Sequence, residues 1–214
     1  MLIRKVTWTL LCAVSMLAAS EVRSWDFEDV AVAALPKGWI IDATHPPKTP
    51  ARWEVLEDRT APSGSHILDL HEIHNRYGGT FNLCYTRDVA FRDGEISVSF
   101  RANRGRIDQG GGIMWRVQNR DNYFVARFNP LEDNFRFYIL EKGMRKELAS
   151  ADLHLGKGWH TMRIVMHGDR FEGYIDGKKL LDTRDARLAK SGGVGLWTKA
   201  DAATSFDDFV VRAE

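Results

Sequence analysis

From about residue 25 onward the chain alternates apolar and polar positions with a period of two. In residues 95–101, Ile96, Val98 and Phe100 fall on one side, and Ser97, Ser99 and Arg101 on the other. Residues 123–129 group Phe124, Ala126 and Phe128; residues 134–140 group Phe135, Phe137 and Ile139; residues 160–166 group Met162, Ile164 and Met166. Successive side chains leave a strand on opposite faces, so this period predicts half-buried β-strands. Turn-forming pairs separate the runs: Asp93-Gly94, Lys142-Gly143, Gly168-Asp169, Asp176-Gly177 and Gly192-Gly193. Asp176-Gly177, flanked by Tyr174-Ile175 and Leu180-Leu181, predicts a two-residue hairpin. Before residue 90 the pattern is less regular. Residues 53–56 and 66–70 read as strands, His71 opens a loop, and residues 43–51 carry three prolines and read as a loop. No stretch has a convincing helical period. Many short strands predict an all-β sandwich or barrel. No linker rich in Gly, Ser or Pro divides residues 25–214, which are expected to form one domain.

The first residues follow another pattern. Arg4 and Lys5 precede a mostly apolar run over residues 6–19, and Ala18-Ala19-Ser20 supplies small residues for cleavage. This reads as a secretory signal peptide over residues 1–20, with Ser24 as a second cleavage point. The run is shorter than the ~20 residues of a transmembrane helix. The expected destination is the periplasm or the exterior, with no membrane span after cleavage. Cys12 falls in the leader without the preceding small residue of a lipoprotein signal. Cys84 is then alone, so the exported fold rests on its core rather than on a disulfide.

Composition narrows the partners. Lys plus Arg number 30 against 29 Asp plus Glu, a net charge of +1, and 44% of residues are hydrophobic. Disordered chains are poorer in apolar residues, and nucleic-acid binders that work by bulk charge are strongly basic. Neither class fits, so electrostatics must act locally.

Strand parity suggests where. If Ile113, Trp115 and Val117 face the core, Arg116 faces out. By the same logic Tyr123, Arg127 and Asn129 face out on the next strand, Arg136 and Tyr138 on the third, and Trp197 and Lys199 near the C-terminus. Flat aromatic rings beside Arg and Asn donors suit a carbohydrate. Like charges ~5 Å apart repel by roughly 1–3 kcal/mol in a polar medium, so the arginines need an anionic or oxygen-rich ligand, or acids such as Glu132, Asp133 and Glu141. The same residues also make an ordinary solvated face with cross-strand ion pairs. A one-residue slip in register would reverse the face.

The chain order also has a familiar look. Trp25-Asp26-Phe27-Glu28 is followed by Pro36-Lys37-Gly38-Trp39. Later come residues 158–163 (GWHTMR), 174–178 (YIDGK), 193–198 (GVGLWT) and 206–211 (FDDFVV). This order resembles the concanavalin A-like lectin/glucanase superfamily. Within it the chain is similar to the bacterial 3-keto-disaccharide hydrolase domain, itself related to laminin-G-like modules. The resemblance is best over residues 94–214. It implies a jelly-roll sandwich of two antiparallel sheets. It also implies a calcium site, because related modules place calcium near acids of the first and last strands, here Asp26, Glu28, Asp207 and Asp208. Calcium takes six to eight oxygens.

Activity is less determined. The superfamily's glucanases carry Glu-x-Asp-x-Glu or a bulged variant on one strand; Glu54 and Glu57 lack that spacing and the central acid. Cleavage of a 3-keto sugar is different chemistry, because the ketone acidifies the neighbouring C–H; His71, His74, Glu132 and Asp133 are candidate acids and bases. His71 and His74 are three apart, not the four of a helical zinc motif. Residues 110–112, three glycines, open a strand and lack the ending of a phosphate loop. Three functions follow: a carbohydrate-binding sandwich, a glycoside-cleaving enzyme of the 3-keto type, and a protein-adhesion module.

Overall fold

A computed structural model describes residues 21–73 and 77–214. The expected leader, with Cys12, and His74 lie outside the described residues. Fifteen strands form among those described: β1 Glu21–Trp25, β2 Trp39–Thr44, β3 Arg52–Glu57, β4 His66–Glu72, β5 Phe81–Phe91, β6 Gly94–Arg104, β7 Gly111–Asn119, β8 Asn122–Asn129, β9 Asn134–Glu141, β10 Met144–Asp152, β11 His160–His167, β12 Arg170–Ile175, β13 Lys178–Arg184, β14 Gly192–Lys199 and β15 Ala203–Ala213. No helix occurs among the described residues, so none is long and apolar enough to cross a membrane.

The strands make two antiparallel sheets. One runs β13-β12-β11-β6-β15-β4-β3, with β1 on the remaining edge of β15; the other runs β10-β9-β8-β7-β14-β5-β2. Strand β15 is long enough to serve β6 on one side, and β4 then β1 on the other. This is the jelly-roll sandwich of a concanavalin A-like fold. The expected hairpin forms at Asp176-Gly177, whose φ values of +48° and +77° are those of a type I′ turn. Lys142-Gly143 makes the same turn between β9 and β10.

The alternation puts its apolar sets between the sheets. Trp115 of β7 stacks on Phe124 of β8 at 5.6 Å, and both meet Phe171 of β12 across the interface, at 5.7 and 4.8 Å. Trp53 and Phe206 stack at 6.0 Å. Cys84 faces this core as a free thiol, and burial pushes its pKa up.

Two departures from the expected pattern matter for function. Strand β4 continues through His71, at which the sequence predicts a loop. Strand β7 carries a bulge: its pairing with β8 breaks after Trp115↔Phe124 and resumes at Asn119↔Asn122. Arg116 sits in the bulge with φ +48°. A Cβ on Gly192 of β14 would lie 2.5 Å from the Arg116 carbonyl carbon, so the bulge needs glycine beside it.

Candidate functional site

The outer face of the seven-stranded sheet gathers some of the expected binding residues. Arg127 and Arg136 are direct cross-strand partners, an unfavourable placement for like charges. Glu132 offsets it: its carboxylate lies 3.3 Å from Arg127 Nη2 and 3.2 Å from Arg136 Nη1. Both guanidinium groups also donate to the Tyr138 hydroxyl, each at 3.3 Å. Asp108, from the β6–β7 loop, completes the cluster by accepting from Arg127 Nη2 at 3.2 Å, Asn129 Nδ2 at 3.2 Å and Lys199 Nζ at 2.8 Å. Asp108 and Arg127 are each 1% exposed. Burial lowers the Arg127 pKa, but Asp108, Tyr138 and Glu132 more than offset it and the net shift is upward. Glu132 moves down: burial opposes, yet the Asn134 bond and Arg127 prevail.

Of the expected members, Arg116 leaves that face, and Tyr123 and Trp197 are buried on it, as are Arg127, Asn129 and Tyr138. The β7 bulge shifts the parity, so Val117 joins the outer apolar cluster and Arg116 turns inward. Arg116 donates to the carbonyls of Arg92 at 3.0 Å and Gly168 at 2.6 Å, and its guanidinium lies over the Phe171 ring. The convergence of three arginines is therefore replaced by a pair. Tyr123 and Trp197 do point to the outer side, but both are fully buried. Trp197 Nε1 donates to the Tyr123 hydroxyl at 3.1 Å, which also bonds Thr44 at 2.9 Å. Burial raises the Tyr123 phenol pKa. With Met114, Val125 and Tyr138 these rings form a second apolar cluster, not an open stacking platform.

The outer face of the other sheet holds a polar row that parity reasoning does not single out. Glu54 of β3, Asp69 of β4, Ser205 of β15 and Arg101 of β6 are successive cross-strand partners. Trp53, Val55, Leu68 and Leu70 face the core, which forces both acids outward and opposite one another. His71 lies two residues beyond Asp69 on the same face and separates them. Its Nε2 is 3.2 Å from Glu54 Oε1, and its Nδ1 is 3.3 Å from Asp69 Oδ2. Arg52 pairs with the other Glu54 oxygen at 2.6 Å. Ser205 donates to Asp69 at 2.6 Å, Asn103 donates to Ser205 at 2.7 Å, and Arg101 donates to Asn103 at 2.9 Å and Asp58 at 2.5 Å. Burial holds Asp69 above the usual carboxylate range, against the Ser205 bond and the His71 charge.

His71 opens onto a cavity of about 670 Å³, lined also by Ile73, Arg104, Arg106, Ile107 and Asp201. Arg104 donates to the His71 carbonyl at 2.6 Å. Asp201 accepts the backbone amides of Arg106, Ile107 and Asp108 at 2.9, 2.9 and 3.0 Å. These bonds outweigh burial and lower its pKa. The β6–β7 loop thus lines the cavity on one side and places Asp108 beneath Arg127 on the other.

Of the four acids expected at a calcium site, Glu28, Asp207 and Asp208 gather around the turn at residues 63–66. Asp207 accepts from Ser63 N at 3.0 Å, and Asp208 from Ser63 Oγ at 2.8 Å. Glu28 accepts from the amides of Ser65 and His66 at 2.7 and 2.5 Å, and Asp26 from its own neighbour Glu28 at 3.2 Å. Among the described residues, no group of three His, Cys, Asp or Glu side chains is arranged to hold a metal ion.

Asp108 and Asp201 escape a reading of the sequence because both lie in irregular segments where parity says nothing. Glu54 and Asp69 are legible as outward positions on predicted strands; only the β3–β4 register shows that they share His71.

Comparison with known proteins agrees with the architecture. The carbohydrate binding module CBM66 from Bacillus subtilis superposes with a TM-score of 0.61 at 18% identity, covering 80% of this chain and 93% of the module. The GH43 protein BlXynB from Bacillus licheniformis gives 0.61 at 16%, over 88% of this chain and 39% of that one. The exoplasmic/lumenal domain of VIP36, in a Ca2+/Man-bound form, gives 0.56 at 13%, over 88% and 89%. At these identities the likeness establishes the fold. No curated protein matches the sequence. A family model does match residues 37–212, most of the chain, and on that match this protein belongs to the 3-keto-alpha-glucoside-1,2-lyase-like domain family.

Proposed function

We propose that the chain is an exported carbohydrate-active protein that takes a 3-keto glycoside into the His71 cavity and cleaves it by elimination. The observation that carries this reading is His71, set between two carboxylates at the mouth of a 670 Å³ cavity. A ketone at C3 acidifies the C2–H bond, so the reaction needs a positioned base more than the carboxyl pair of an ordinary glycosidase. His71 takes the C2 proton, and Glu54 and Asp69, each beside one of its ring nitrogens, balance the imidazolium that results. The C1–O bond breaks with its electron pair on the leaving oxygen, which is protonated by water. The products are the free alcohol and a 1,2-unsaturated 3-keto sugar. Arg104, anchored on the His71 carbonyl, supplies positive charge for the enolate that develops at C3. Export rests on the leader-like residues 1–20.

The test is release of sugar from 3-keto-trehalose or 3-keto-lactose by purified protein. A rate that falls about 10²–10⁴-fold in His71→Ala is expected of a general base. Inert substrates at high enzyme concentration reject the reading. A second reading, carbohydrate binding without turnover, is favoured by the Arg127 cluster, whose rim members Glu132 and Arg136 are 42% and 29% exposed. A glycan array tests it. Binding that vanishes in Arg136→Ala but persists in His71→Ala would support this face.

A further inference from the structure

We infer that the cavity selects a glycoside bearing a carboxylate, and that Arg106 binds that group. The inference rests on the cavity being the sugar site and adds its substrate class. Many surface arginines of this chain have a carboxylate within 4 Å, among them Arg101, Arg163, Arg170, Arg184 and Arg187. Arg106, which lines the cavity, has no ion-pair partner among the described residues. Arg104 beside it donates to a carbonyl, that of His71, and has no ion pair among the described residues. Asp201, the one carboxylate among the described lining residues, is directed at three backbone amides, one of them that of Arg106 itself. Asp201 therefore fixes the segment that presents Arg106 without pairing with its guanidinium. Two cations remain at the mouth of a cavity whose lining includes the apolar side chains of Ile73 and Ile107. Apolar walls weaken solvent screening, and a guanidinium matches a carboxylate with two parallel hydrogen bonds. A uronic acid supplies that group on a sugar-sized body, which a cavity of about 670 Å³ holds.

The experiment titrates the full protein with D-glucuronate, its methyl ester and glucose 6-phosphate, by calorimetry or ligand-observed NMR. Glucuronate is expected to bind at least tenfold tighter than its ester, with affinity falling as salt rises. Arg106→Gln is expected to erase the gap while the thermal midpoint stays put. Equal binding of acid and ester, no binding of either, or a gap that survives Arg106→Gln overturns the inference; tighter binding of the phosphate replaces the carboxylate with a phosphoryl group and overturns it as stated. Cleavage of neutral 3-keto-trehalose with no acid–ester gap would leave the lyase reading and remove this one. A gap without cleavage of any 3-keto glycoside would do the reverse.

Discussion

Replacing Asp207 with asparagine should flatten part of the protein's pH–stability profile. Asp207 is fully buried on β15, next to Asp208. Burial, with the Asp208 charge, lifts its pKa from 3.8 to about 6, although the amides of Ser63 and Asp208 pull the other way. Between those two values the folded protein holds a proton that the unfolded chain has lost. Stability therefore falls as pH rises through the window, and the contribution is fully spent above pH ~6. A shift of about two units corresponds to about 3 kcal/mol. The asparagine side chain cannot ionise, but it has one acceptor oxygen where the carboxylate had two. It leaves a donor facing Ser63 N or Asp208 N, a cost of about 1–3 kcal/mol at every pH. The readout is thus the slope, not the absolute stability. Urea titrations at intervals from pH 4 to 7 would give ΔG for both proteins. Other carboxylates, such as Asp69, Asp201 and Glu132, titrate in both and cancel in the difference. The wild type is expected to lose about 3 kcal/mol more than the variant across the range. Parallel profiles would refute the argument.

Three other outcomes follow from the geometry. Arg127→Ala leaves Asp108 buried with Lys199 as its remaining cation, and breaking such a buried pair should cost about 3–5 kcal/mol in a urea titration; a loss under ~1 kcal/mol would show the pair to be dispensable. Gly192→Ala drives a methyl into the β7 bulge and should lower stability by about 1–3 kcal/mol, seen as a reduced melting temperature; an unchanged melting temperature would mean that the bulge yields freely. N-terminal sequencing of exported protein should begin at Glu21, because a cut after Ser24 would remove four of the five β1 residues that pair with β15.

Much of this protein was legible as a string of residues. Alternation alone marked the inner faces of β6, β8, β9 and β11, since burying one side of a strand constrains every second residue. Asp176-Gly177 announced its hairpin because few pairs tolerate two positive φ angles in succession. Parity also placed Arg127, Asn129, Arg136, Tyr138 and Lys199 on one side of a sheet. It failed at Arg116, where a bulge supported by a glycine on another strand inserts extra residues and reverses the count. It also could not tell that Tyr123 and Trp197, outward by pattern, would be consumed by one another. The polar row on the opposite sheet depends on which strands become neighbours. Glu54, Asp69, Ser205 and Arg101 come from four segments, and only the pairing of β3, β4, β15 and β6 aligns them and sets His71 between two acids. Local periodicity reports which way a side chain points; long-range pairing decides what it meets there, and the chemistry of the site resides in those meetings.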